Sequence, residues 1–202
     1  SIWYPLVETT AFVIETSTED EPQQKTAPVE AETISITDIV DYSNTLPEEE
    51  YTITGHLAYT EDCVDADGNE HTAGEFLVNA DGEPYEASAI LEAGEHEAGG
   101  TVEFTFEIDQ PQILAGITVV AFEEMYHGGA EVAAHADLDD EDQEVHFPEI
   151  ETELTDADMV SHTARADEDI TLVDTVYYHN LVSGEIYTVK GKLYDQKTGK
   201  PF

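Results

Sequence analysis

VVAFEEMYHGGAEVAAHADLDDEDQEVHFP, residues 119–148, is the stretch whose reading decides the fold. Residues 117–122 are β-branched and aromatic, the composition of a core strand. That run delivers Glu123 at or just beyond its apolar end, and the segment after it carries His135 and Gln143. Glutamates in so acidic a chain are ordinarily solvated. Glu123 is set apart by following a core strand directly.

Further strands are expected on either side. Residues 2–14 mix aromatic, apolar and Thr residues around Thr9 and Thr10 and suit a first strand. A polar stretch follows over residues 16–32, rich in Pro, Glu, Gln and Thr, and reads as a surface loop or a mobile insert. Residues 34–42 and 51–59 resume the polar/apolar alternation, and the NTLPEEE between them suits a connection between antiparallel neighbours. Two Asp-Gly pairs, Asp67-Gly68 and Asp81-Gly82, mark turns, and residues 102–108 (VEFTFEI) alternate as a strand does. No segment has a convincing helical period. Strands at short intervals separated by acidic turns predict an all-β, immunoglobulin-like sandwich.

The chain has 202 residues, with 6 Lys and Arg against 47 Asp and Glu, a formal charge of −41. Nucleic acid and anionic membranes are excluded as partners, because both would be repelled. Hydrophobic residues still make up 40% of the chain, enough for a packed core beneath an acidic shell. The single Cys63 excludes an internal disulfide and a thiolate metal cluster. No apolar run approaches the roughly 20 residues that span a bilayer. Neither a signal peptide nor a wall anchor is visible, so the chain is expected to be a mature or excised fragment.

An internal repeat organises the whole. YPLVET at residues 4–9 aligns with FPEIET at 147–152, and TDIVDYSNTLPEEEYTITGHL from Thr37 aligns with VDTVYYHNLVSGEIYTVKGKL from Val173. Asp38 thereby falls against Asp174. A complete repeat over residues 1–147 is expected, followed over 148–202 by the opening part of a second, which lacks counterparts of Glu123, His135 and Gln143. Lys25 is the one basic residue before Pro148. It sits in the polar stretch, away from any obvious core strand, so a Lys–Asn isopeptide staple is not expected in the first repeat.

VAFEE (residues 120–124), HADLDDEDQ (135–143) and the following FPEIET together resemble the VaFE repeats, the Thr-Gln ester-bond domains of bacterial surface adhesins. VETTAF (7–12), TDIVDY (37–42) and YTITGHL (51–57) extend the resemblance over nearly the whole chain. VDTVYY (173–178) and YTVKGKLYDQKTGKPF (187–202) look like the opening half of the next repeat. The resemblance implies a CnaB-like sandwich and a self-made cross-link, with loss of ammonia, between a Thr hydroxyl on the first strand and a Gln carboxamide on the last. The matching positions are Thr9 and Gln143. Thr10 is the rival nucleophile, since alternate strand residues face opposite sides; Thr9 is preferred because it aligns with Thr152, whereas Glu153 follows that residue. An Asp and a Glu assist in the family, and they match Asp38 and Glu123.

A hydroxyl is a weak nucleophile and an amide a poor electrophile, so each needs help. His135, eight residues before Gln143, is the candidate base. Two carboxyls in an apolar site cannot both ionise cheaply, so one would keep a proton and donate it to the developing oxyanion. Such a site acts once and is not an enzyme. The expected role is a stalk domain of a cell-wall-attached, extracellular surface adhesin, with neighbouring repeats as partners and no cofactor. Two other readings stand beside it: an acidic immunoglobulin-like module for a basic or cation-bridged ligand, and a hydrolase, which no nucleophile-turn motif supports. The acidic runs 62–70 and 137–142 fit no EF-hand and read as solvated turns, and the other histidines lack metal-ligand spacing, so no metal is expected.

Overall fold

The computed structural model describes residues 4–14, 24–157, 162–163 and 169–202. Among them the first repeat is a two-layer antiparallel sandwich. One layer is β1 (Leu6–Ile14), β2 (Thr33–Ser43) and β7 (Gly99–Asp109), in the order β1-β2-β7. The other holds β3 (Tyr51–Tyr59), β6 (Glu86–Leu91), β8 (Thr118–His127), β9 (Ala130–His135) and β10 (Glu144–His146). Its order is β10-β8-β3-β6, with β9 also on β8. Strand β8 therefore carries β10 against its first residues and β9 against its last. A short hairpin of β4 (Cys63–Val64) and β5 (Glu70–His71) projects from the second layer.

Alternation in sequence becomes burial in space, because successive side chains leave a strand on opposite faces. Val7, Thr9, Ala11 and Val13 of β1 point inward, as do Ile36, Asp38 and Val40 of β2, Phe104, Phe106 and Ile108 of β7, and Val119, Ala121, Glu123 and Met125 of β8. Their apolar members make up one core with Ile53, Leu57, Val145 and Phe147. The Asp-Gly turns form as expected, with Gly68 at φ 87° and Gly82 at φ 81°. The one helical turn among the described residues is the 3-10 segment Pro111–Leu114.

Two expectations are corrected. Residues 34–42 and 51–59 are not neighbours in a sheet: β2 pairs with β1 and β7, and β3 with β6 and β8. The connection between them starts at Asn44, whose φ of 63° turns the chain out of the first layer and into the second. The second correction concerns the polar stretch. Its residues 16–23 lie outside the described part, but Gln24 bridges Val13, and Thr26 bridges His146 in parallel. Residues 24–27 thus close the edge between β1 and β10, with Val13 N–H donating to Gln24 O at 2.8 Å and Ala27 N–H to His146 O at 2.7 Å.

After Phe147 the chain enters β11 (Glu149–Asp156), which pairs with β12 (Leu172–His179). Thr152 faces Val176, as Thr9 faces Val40, and Leu154 faces Asp174, as Ala11 faces Asp38. The second hairpin repeats the register of the first.

Candidate functional site

Four inward polar side chains meet at the centre of the first sandwich. Asp38, Glu123 and Gln143 are 0% exposed and Thr9 is 7% exposed. Thr9 comes from β1 and Asp38 from β2; the Thr9 hydroxyl donates to Asp38 Oδ1. Thr10 is turned the other way and is only half-buried. Glu123 comes from the middle of β8, opposite Gly55, rather than from the strand end that its sequence position suggests. Gln143 immediately precedes β10, and its Nε2 donates to Glu123 Oε2 at 3.1 Å.

The carboxyls of Asp38 and Glu123 come together between the two layers, close enough for each to act on the other's ionisation. Asp38 Oδ2 and Glu123 Oε1, the oxygens not engaged by Thr9 and Gln143, have no hydrogen-bond partner. One proton held between the two carboxyls would satisfy both atoms, where two carboxylates would repel. Burial pushes the pKa of each above the ordinary carboxylate range. For Glu123 the Asp38 carboxyl adds to that rise, whereas for Asp38 the bonds from Glu123 and Thr9, with His135 and Lys25 nearby, oppose it. The pair therefore favours keeping one proton where two isolated acids would have lost both. The result is a continuous buried row, Thr9–Asp38–Glu123–Gln143, from the first strand to the last.

Backbone and cation contacts lock the ends of that row together. Ala11 N–H donates to Asp142 O at 2.9 Å, one residue from Gln143. Lys25, which sequence reasoning set aside as remote from the core strands, sends its ammonium to Ala11 O and Asp142 O, both at 2.5 Å. Desolvation lowers its pKa, while Asp142, Asp140, Glu144 and Asp38 oppose the fall. The signal was in the sequence, since this is the first repeat's one basic residue; its chain position within a polar stretch concealed its place in space.

His135 ends β9 directly opposite Glu123. Its Nε2 lies 2.8 Å from Asp140 Oδ2, with both side chains a quarter exposed. Asp140 was also missed, because nothing distinguishes it from its acidic neighbours in residues 137–142. Apolar walls complete the site. A Cβ on Gly55 would sit 2.7 Å from Phe104 Cδ2, so Gly55 leaves room for the Phe104 ring beside the strand position of Glu123. Phe104 itself stands opposite Asp38.

The acidic hairpin loop is occupied differently. Asp65 accepts from Asp67 N at 3.0 Å and Asn69 N at 2.9 Å and lies 3.1 Å from His71 Nε2, so its carboxylate organises its own turn. No group of three or more His, Cys, Asp or Glu suited to a metal ion occurs among the described residues.

Fold and site together define an antiparallel sandwich whose first and last strands are joined through a buried Thr, a carboxyl pair and a Gln. The chain belongs to the family described as the T-Q ester bond containing domain, whose model matches residues 7–147 and again 148–201. In structure it is similar to a bacterial adhesin from Mobiluncus mulieris containing intramolecular disulfide, isopeptide and ester bond cross-links. The TM-score is 0.50 at 13% identity, covering 87% of this chain and 76% of that one. A second crystal form of that adhesin gives the same score and identity over 87% and 75%. No curated protein matches the chain significantly.

Proposed function

We propose that the chain is a structural unit of a bacterial surface adhesin's stalk, stapled by an ester between Thr9 and Gln143 that the domain forms once, with loss of ammonia. The observation that supports this reading is the buried row Thr9–Asp38–Glu123–Gln143, which puts a hydroxyl, a carboxyl pair and a carboxamide in sequence inside an apolar core.

In the proposed reaction Thr9 Oγ1 attacks Cδ of Gln143. Its proton goes to Asp38, whose Oδ1 already accepts that hydroxyl. Asp38 thus takes the first proton in place of His135, the base expected from sequence. Glu123, holding the pair's proton, adjoins the carboxamide. A half-turn of the amide exchanges Nε2 with Oε1, and Glu123 then donates to the carbonyl oxygen as charge develops there. The C–O bond forms, the C–N bond breaks, and the nitrogen leaves as ammonia after gaining one proton. We assign delivery of that proton to His135, held by Asp140 at the rim. The proton that Asp38 took from Thr9 then passes to His135, so both groups end as they began and the net change moves one proton from Thr9 onto ammonia.

Burial keeps water from the product, so the ester persists and the site turns over once; the domain is not an enzyme. Closing a loop of roughly 130 residues adds about 5 kcal/mol by chain entropy. Force applied along a stalk would also run through a covalent bond rather than unzip β1. Adhesin relatives support an extracellular, cell-surface location, and the acidic shell supports partners other than nucleic acid and membrane. The partners we assign are neighbouring repeats.

Intact mass under denaturing conditions, followed by peptide mapping, tests the reading. A deficit of one ammonia, with a branched peptide joining the Thr9 and Gln143 segments and absent from Thr9→Val and Gln143→Ala, is expected. Unreduced mass in a folded sample overturns it.

A further inference from the structure

Among the described residues the second repeat meets the first chiefly through the side chain of Asn180. Asn180 Nδ2 donates to Ile117 O at 2.6 Å and to Phe147 O at 3.1 Å. Its Oδ1 accepts from Thr118 Oγ1 at 2.9 Å and lies 3.1 Å from His146 Nδ1. The start of β8 and the end of β10 are thereby clasped by one uncharged residue at φ 58°. Nearby, the Tyr187 hydroxyl accepts from Val182 N–H at 3.0 Å and lies 2.8 Å from Thr26 Oγ1.

The first repeat carries the same device at its opposite pole. By the internal alignment Asn44 corresponds to Asn180, Tyr51 to Tyr187, Leu46 to Val182 and Tyr4 to Phe147. Asn44 adopts φ 63°, its Nδ2 donates to Tyr4 O at 2.9 Å, and the Tyr51 hydroxyl accepts from Leu46 N–H at 3.1 Å. The bond from Asn44 to Tyr4 is the counterpart of the bond from Asn180 to Phe147. What differs is the rest of the clasp. Among the described residues Asn44 makes that bond alone, leaving its Oδ1 and its second N–H unused. Phe147 is 0% exposed, the last ring of the first repeat's core, whereas its counterpart Tyr4 is 72% exposed.

We propose that the Tyr4–Asn44 pole is a docking surface for the Ile117–His146 end of another copy of the same repeat. Tyr4 fills in that copy's core the place that Phe147 fills here, and Asn44 takes the bonds to Ile117 O, Thr118 and His146 that Asn180 takes. Each repeat would then finish its core with the first aromatic ring of the next. The chemistry suits the charge: two strongly acidic bodies repel, and an amide offering both a donor and an acceptor joins them without adding charge. This surface deepens the tandem-stalk reading and rests on it.

The test extends the full chain at its front with a second copy of residues 4–146 joined directly to Tyr4, so that Tyr4 stands where Phe147 stands at the existing junction. Hydrogen exchange is read at the amides around Ile117 of the leading copy and at Tyr4. These are expected to exchange as slowly as their counterparts at the Asn180 junction. Tyr4→Ala or Asn44→Gly at the new junction should speed exchange there about ten-fold while leaving the Asn180 junction unchanged. Glycine retains the positive φ, and an unchanged melt of N44G in the unextended chain shows that folding is intact. Fast exchange at the new junction in the unsubstituted protein, or insensitivity to both substitutions, overturns the proposal and leaves the pole open to a different partner. Intact mass of the same sample reads the esters separately. Slow exchange without loss of ammonia would sink the cross-link alone, and loss of ammonia with fast exchange would sink the docking surface alone.

Discussion

Asp38 and Glu123 lie in opposite layers of the sandwich, and their buried carboxyls come together between them, each left with one unpartnered oxygen. Thr9 bonds one partner and Gln143 the other, so the pair links the first strand to the segment that opens the last. A proton buried between acids has consequences that can be measured.

Glu123→Gln keeps the volume and a hydrogen bond to Gln143 but removes the acidic proton. The variant is expected to fold and to form the ester on the order of 10² times more slowly. Asp38→Asn should slow it comparably by removing the acceptor of the Thr9 proton. Time-resolved intact mass after refolding measures both rates.

The pair also makes stability depend on pH. Both folded pKa values are raised, so the folded state binds more protons than the unfolded chain above the ordinary carboxylate range. That contribution is complete below the unfolded pKa near 4 and is lost as pH rises through the folded values, with a slope of about 1.4 kcal/mol per pH unit for one proton. Cross-link-free Thr9→Val is therefore expected to lose Tm from pH 5 to 9. Adding Glu123→Gln should flatten the dependence, and parallel curves for the two proteins would contradict the shared proton.

Gly55→Ala would drive a methyl into Phe104, because its Cβ would stand 2.7 Å from the ring. The expected cost is about 1–3 kcal/mol in urea unfolding of the cross-link-free protein, together with slower ester formation as the ring shifts away from Asp38 and Glu123.

Lys25→Met retains the aliphatic stem and loses both bonds that hold Ala11 O to Asp142 O. A loss of about 1.5–3 kcal/mol is expected from the charge-assisted hydrogen bonds. The ester should form more slowly in the mass time course, because the end that carries Gln143 is then less firmly held to β1.

Asp140→Asn removes the carboxylate beside His135. With His135 carrying the departing proton, the variant should still form the ester but more slowly in the mass time course, because the imidazole is no longer held at the rim. An unchanged rate would remove His135 from that role.

The all-β sandwich was legible in the sequence because period-two alternation is a local property: each of β1, β2, β7 and β8 declares its inward face by its own residues. The repeat was legible as well, and the matching registers of the two hairpins follow from it. Thr9, Asp38, Glu123 and Gln143 could be named from motifs in chain order. Which strands pair, however, depends on how the chain crosses between layers. Turned at Asn44, β2 and β3 part into different sheets although their patterns suit neighbours. Only the tertiary structure puts Lys25 against Asp142, Asp140 against His135 and Phe104 over Gly55, because these contacts join segments far apart in the chain or acids alike in sequence. The pairing of Asp38 with Glu123 is tertiary too: either carboxyl alone on a strand would be an ordinary acid, and two layers closing around both bring them together away from water.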